Sequence, residues 1–332
     1  MDKKIVFTSA DNSGCFWYRS YLPSVYLSKN FDTSVTIGFK PNSVLEYLSN
    51  DVVILQRHCM PGLIDFIDTA HNVDRQVWFD IDDLVWDIPS YNYSRKHWTK
   101  QMFQSMNKII SKCDAVTTST EPLAKYLKRF NDSVHVVPNL VENLFCDKRE
   151  NEKVRILYAG SITHSGDFEK PVISALKYIL DNYDIELYFV GCLPDEFIRK
   201  KYYDKVKFYK GIEIKNYIPT LQYLNCDISI MPLADNHFNV CKSALKYYES
   251  TLAGCVSIAS KIYPYENVIS HGVNGFLCKK YSDWKTALEI LIKDRCFREL
   301  MYDSAKELVQ SKYTWNDNTI REVSDIYKRI LK

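Results

Sequence analysis

The feature that most constrains this chain is an alternation of strands and helices that runs for about 140 residues, stops, and starts again. The first run offers the short apolar segments KIVFTSA, TSVTIGF, DVVILQR, QVWFDI, DAVTTST and VHVVPN. Such runs, rich in β-branched and aromatic residues, suit strands buried on both faces. Stretches 18–27, 61–70, 100–111 and 122–130 between them carry helical spacing. Segment 142–153, ENLFCDKRENEK, is polar and lacks periodicity, so it reads as a linker. VRILYAGS then restarts the pattern, followed by a helix over 171–182 and by IELYFVG, VKFYKG, CDISIMPL and CVSIAS. The order implies an α/β protein with two Rossmann-like domains, whose parallel sheets face a central cleft. Ligands in such sheets bind beyond the strand C-termini. The expected bounds are 1–145 and 153–315, with an amphipathic helix over 316–332 placed to pack back on the first domain.

Composition narrows the classes of function. The 332 residues are 46% hydrophobic and 25% charged, and the net charge is +2, so no basic field calls for nucleic acid or an acidic membrane. Ten cysteines are scattered without a C-x-x-C pair, as expected of reduced thiols in a cytoplasmic protein. The N-terminal MDKKIVFTSADNSG has no signal-peptide core, and no stretch approaches the ~18 apolar residues of a membrane span. There is no G-x-G-x-x-G, Walker or G-x-S-x-G motif, and His58, His97 and His164 lack metal-ligand spacing.

Within FNVCKSALKYYESTLAGC a short helix is expected over 244–253, capped by Ser243 and ended by Gly254. Its first turn carries Lys242 and Lys246, where the helix dipole already supplies positive charge. Two readings are open. Lys246 could form a solvated pair with Glu249 three residues on, worth only about 0.2–0.5 kcal/mol. Alternatively both lysines and the free N–H groups converge on an anion, with a phosphate or diphosphate as the natural occupant. The block YAGSITHSGDFEKPVISAL supports the second reading, because backbone N–H groups of Gly160 and Ser161 can approach a phosphate closely. His164 and Asp167 share that loop.

The C-terminal half resembles nucleotide-sugar glycosyltransferases of family 4, the GT-B, group 1 type. The resemblance is carried by YAGSITHSGD, DISIMPLADNHFNVCKSALKYYESTLAGCVSIAS, PYENVISHGVNGFL and KYTWND. GCFWYRSYLP, DIDDLVW and VVPNLVE in the first half are similar to a bacterial and phage subgroup. The resemblance implies the GT-B fold and retaining transfer from a UDP- or GDP-sugar, with no required cofactor or metal. Lys242 and Lys246 would stabilise the leaving diphosphate. Gly160, Ser161, His164, Asn239 and Ser243 would complete the donor site, with Glu249 on the ribose. The family often carries two glutamates eight residues apart here; Glu249 matches the second, but Cys241 stands at the first.

The acceptor is expected on the first half. Gly14, Tyr18 and Arg19 lie where the first strand meets its helix, and Asp80, Asp82 and Asp83 end the strand QVWFDI. Asp82 is the candidate base or orienting group. The same aspartates could cap a strand–helix turn. Asp80-Ile81-Asp82 also matches the D-x-D of metal-dependent transferases with a single sheet. Acceptor classes are a surface polysaccharide or lipid-linked glycan, and a hydroxymethylated DNA base. The Lys-, Asn- and Tyr-rich composition suits an AT-rich phage acting in its host's cytoplasm, and YNYSRKHWTK interleaves basic and aromatic residues. LAKYLKRF mixes basic and apolar residues, as a core-facing helix or a membrane contact would. A non-catalytic nucleotide-sugar-binding module is the alternative outside enzymes.

Overall fold

The computed structural model describes residues 3–198 and 200–331; Met1, Asp2, Arg199 and Lys332, inside the expected bounds, lie outside them. The described residues form two sheets of six strands. The first contains β1 (Lys4–Ser9), β2 (Asp32–Ile37), β3 (Val52–Gln56), β4 (Gln76–Ile81), β5 (Ala115–Thr118) and β6 (Val134–Val136), in the order β2-β1-β3-β4-β5-β6. The second contains β7 (Val154–Ala159), β8 (Ile185–Val190), β9 (Val206–Tyr209), β10 (Ile228–Met231), β11 (Val256–Ser260) and β12 (Phe276–Cys278), in the order β12-β11-β10-β7-β8-β9. Every pairing is parallel. Strand order reverses between β1 and β3 in one sheet and between β7 and β10 in the other, and loops at such switch points are free to hold ligands. The architecture is α/β with two Rossmann-like sheets. β12 had no counterpart in the expected strands: three residues give no period to recognise.

The first helical segment contains a wide π turn at Trp17–Tyr21, between Gly14–Phe16 and Leu22–Leu27. It carries both Tyr18 and Arg19. The helix Glu121–Leu127 buries Leu123, Ala124 and Leu127 in the first half's core, so its apolar face is already covered. Residues 142–151 form neither helix nor strand, and Lys148 of this segment pairs with Asp227 at 3.2 Å.

The last helix, Asp317–Ile330, starts at a capping box in which Asn316 accepts from the Thr319 N–H and Thr319 accepts from the Asn316 N–H. Tyr327 packs its ring 6.4, 6.2 and 5.3 Å from those of Phe7, Phe31 and Trp78, which lays this helix against the first sheet. Tyr247, Tyr248 and Leu252 of the second half join Leu22, Val137 and Leu140 of the first in one buried cluster. The two halves therefore share a core beneath the cleft.

Candidate active site

A cavity of about 730 Å³ lies between the strand C-termini of the two halves. One wall is the helix Leu245–Leu252 and the loop before it. The expected cap is corrected here: the helix begins one residue later, at Ala244 as N-cap, and no side chain caps it. Ser243 Oγ instead accepts from Asn139 Nδ2 across the cleft at 3.0 Å. Gly254 ends the segment at φ +82°, a conformation that favours glycine.

Lys246 speaks against the solvated pair with Glu249. Its Nζ is buried without a hydrogen-bond partner among the described residues, 5.1 Å from the centroid of the Tyr158 ring. The pair with Glu249 does not form; Glu249, 7% exposed, accepts from the Tyr18 hydroxyl at 2.7 Å. Burial pushes the Lys246 ammonium down to about 8; Asp167 partly opposes this and Lys242 adds to it. Burial likewise lifts Glu249 to about 7, with the Tyr18 hydrogen bond acting against it. Gly160 leaves room for them: a Cβ there would stand 2.7 Å from the Tyr158 hydroxyl and 2.9 Å from Lys246 Nζ, and would displace both ends.

The opposite wall is acidic. Lys242 Nζ donates to Asp83 Oδ1 at 2.9 Å, linking the halves. Asp82 Oδ1 is buried with no hydrogen-bond partner among the described residues. Burial and then the Asp83 charge raise Asp82 to about 6, against Arg19 and Arg57. Cys15, Asp82 and Asp83 each bring one ligand-type atom within 4.8 Å of the others, although Asp83 already holds Lys242.

The expected site residues line this cavity except Arg19, Asp80 and Asn239. Arg19 and Asp80 are 4% and 2% exposed and bond each other through Nε–Oδ1 at 3.0 Å and Nη2–Oδ2 at 2.6 Å. Thr117 also donates to Asp80, and Arg19 donates to the Val137 carbonyl and to Asn139. Their charges satisfy one another under the cleft, so neither is placed to touch an acceptor. The D-x-D reading also loses its first carboxylate, and a second complete sheet contradicts a single-sheet fold. Asn239 is buried and spends its amide on Tyr91, Asp167 and the Ala234 carbonyl. Cys241 packs in the apolar core with Phe238 while its carbonyl accepts from Thr120, so the position holds no cavity-facing carboxylate.

Arg57, Asn139, Tyr217 and Tyr265 also line the cavity and were not anticipated. Arg57 carried one signal, a cation ending the apolar strand DVVILQR. Its φ of 57° is uncommon for such a residue, and its guanidinium pairs with Asp11. Tyr91 and Asn92, in the basic and aromatic stretch, turn inward: Tyr91 donates to Asp167 at 2.7 Å and Asn92 is 5% exposed.

The profile of the family described as glycosyl transferases group 1 matches residues 116–308. The chain belongs to this family. It is 25% identical over 190 residues to an uncharacterized glycosyltransferase, MJ1607, of Methanocaldococcus jannaschii; the match covers 54% of this chain and 46% of that relative. The chain thus spans about half the length of that curated protein. Over whole chains it is similar to a sucrose-phosphate synthase from Thermosynechococcus elongatus, with TM-score 0.70, 12% identity and coverage of 99% of each chain. Anabaena Alr3699/HepE in complex with UDP and glucose has TM-score 0.69 and 13% identity, covering 98% of this chain and 100% of that one. At these identities the group 1 chain shares their GT-B fold. No described helix is long and apolar enough to cross a membrane.

Proposed function

We propose that this cavity binds a nucleoside-diphosphate sugar and that the protein transfers the sugar to an acceptor hydroxyl with retention of configuration. The observation that carries this reading is the buried, unpartnered Lys246 ammonium beside Lys242 and an uncapped helix N-terminus. A buried charge without a counter-ion is costly, and a diphosphate supplies that counter-ion. As the glycosidic bond breaks, negative charge grows on the diphosphate while the sugar becomes oxocarbenium-like. Lys246 and the first-turn N–H groups stand beside that charge, and Lys242 and Ser243 reach it by sharing or exchanging their bonds to Asp83 and Asn139. Glu249 holds the ribose hydroxyls once Tyr18 yields it. Asp82, with Gly14, Tyr18 and Asp83 around it, orients the acceptor and takes its proton.

The UDP complex of a structural neighbour favours UDP over GDP. The acceptor is a glycan hydroxyl rather than a DNA base: the chain's net charge is +2, and Tyr91 and Asn92 face inward. The test is a transfer assay with UDP-glucose, UDP-N-acetylglucosamine and GDP-mannose against glycan and hydroxymethylated-DNA acceptors, the product anomer being read by NMR. Retained configuration and full turnover in EDTA are expected. Inversion, or activity lost in EDTA and restored by manganese, would contradict the reading, and transfer to DNA alone would overturn the acceptor class.

The pH dependence follows from the same groups. Asp82 must lose its proton to act as base, so kcat/KM rises as pH passes about 6. Lys246 must keep its proton, so kcat/KM falls as pH passes about 8. Glu249, at about 7, adds to the acid limb because ionised it is the better hydroxyl acceptor. Asp82→Asn lowers turnover and removes the component near 6. An unchanged rate and profile in that variant would exclude Asp82 as the base.

A further inference from the structure

His164 lies in the loop after β7 and lines the cavity, with its Nδ1 2.7 Å from Asp167 Oδ2. Asp167 is 2% exposed, and its other carboxylate oxygen accepts from the Tyr91 hydroxyl at 2.7 Å, Asn239 Nδ2 at 3.0 Å and the Ala234 N–H at 3.2 Å. Burial works against ionisation here, but the bonds from His164 and Tyr91 hold this carboxyl below its ordinary range. A carboxylate only accepts, so the His164 Nδ1 carries the hydrogen. Burial, with the Lys246 and Lys242 ammoniums nearby, lowers the imidazole to about 4, so the ring is neutral at physiological pH.

A neutral ring with its hydrogen on Nδ1 presents a lone pair at Nε2. A diphosphate offers only further lone pairs, whereas a hydroxyl offers a hydrogen. We propose that His164 Nε2 accepts a hydrogen bond from a hydroxyl of the transferred sugar, and that Asp167 is the positioning residue that holds the ring in this tautomer. The assignment rests on the donor reading above and deepens it: it separates the group that reads the sugar from those that hold the diphosphate. Asp167 is itself fixed from three segments, and one of them, Tyr91, comes from the first half. Gly166 makes that contact possible, because a Cβ there would stand 2.3 Å from the Tyr91 ring. The setting of His164 therefore depends, through Asp167, on a residue of the first half.

The test compares a nucleotide with its sugar nucleotide by calorimetry, using UDP with UDP-glucose and GDP with GDP-mannose and keeping the pair that wild type binds. His164→Ala should weaken the sugar nucleotide about five- to tenfold and leave the nucleotide within about twofold. Asp167→Asn should give the same selective loss, because its amide can donate to Nδ1 and move the ring hydrogen to Nε2. His164→Gln, which keeps an acceptor, should recover most of the affinity. His164→Ala faces the cavity and keeps the test open if Asp167→Asn does not fold. A parallel loss of nucleotide and sugar-nucleotide affinity would assign the ring to the nucleotide, through a ribose hydroxyl, and overturn the proposal, as would no change in either. Binding of neither pair by wild type would overturn the donor reading along with it, which separates that failure from this one.

Discussion

Lys246→Met raises the unliganded Tm by several degrees and abolishes stabilisation by UDP and GDP. The wild-type ammonium is buried with no partner, and its proton affinity falls to about 8 chiefly through burial. This is a lysine whose folded pKa lies below its unfolded value, so its penalty grows as pH falls toward 8 and is complete below it. At pH 7 an isosteric apolar chain removes that penalty, about 1–3 kcal/mol by analogy with other unsatisfied buried groups. A gain of that size is several degrees in Tm for domains of this size. The same change deletes the cation facing the diphosphate, so function and stability move in opposite directions. Lys242→Ala behaves differently, because Lys242 holds Asp83 at 2.9 Å and its loss leaves that carboxylate unpaired. It should lower stability modestly and turnover by about 10²–10³-fold, the usual cost of one preorganised charge stabiliser. A Lys246→Met protein with wild-type ligand-induced stabilisation would remove the site from this turn.

Arg19→Ala should cost about 3–5 kcal/mol, a large share of a typical domain's stability, because it strands the Asp80 carboxylate in the core. Every Asp80 oxygen has a partner in the wild type, and the guanidinium binds both of them. Arg19→Lys recovers little, since an ammonium cannot reproduce the two-pronged contact. Where the variant can be held folded at low temperature, the acceptor KM should stay near wild type. Arg19 touches the cleft through Asn139, which it holds at 2.9 Å and which in turn donates to Ser243, and it acts on Asp82 through its charge. Denaturant unfolding checks the first effect and acceptor kinetics the second. A stable variant with a raised acceptor KM would return Arg19 to the acceptor site.

The buried Arg19–Asp80 pair shows where the sequence stops speaking. Asp80 and Asp82 are two residues apart and chemically identical, yet one is consumed by Arg19 while the other keeps a buried oxygen without a partner. The difference lies in partners 61 and 37 positions away, which local pattern does not carry. The Ser243 cap failed for the same reason: its hydroxyl is taken by Asn139, 104 positions earlier. Strands such as QVWFDI were legible because a strand covered on both faces must be apolar throughout, and the observed β4 spans those residues, Gln76–Ile81. The lysine turn was legible because its charges oppose the helix dipole. Asp167 was visible as a loop neighbour of His164, but its role needed Tyr91, 76 positions away.

The most direct test of the central claim is proton uptake on nucleotide binding. Titrating UDP and GDP into the wild-type protein at pH 8, in buffers of different ionisation enthalpy, counts the protons taken up. Lys246, held at about 8 by burial, is about half neutral at that pH before the nucleotide binds. A diphosphate restores its ordinary proton affinity, so binding should take up about half a proton per nucleotide. At pH 6.5 the lysine is charged beforehand, so its uptake disappears, and the exchange left there comes from Glu249, at about 7, and from the nucleotide's own terminal phosphate. Absence of binding, or binding with no proton uptake at pH 8, would contradict the placement of a diphosphate against Lys246.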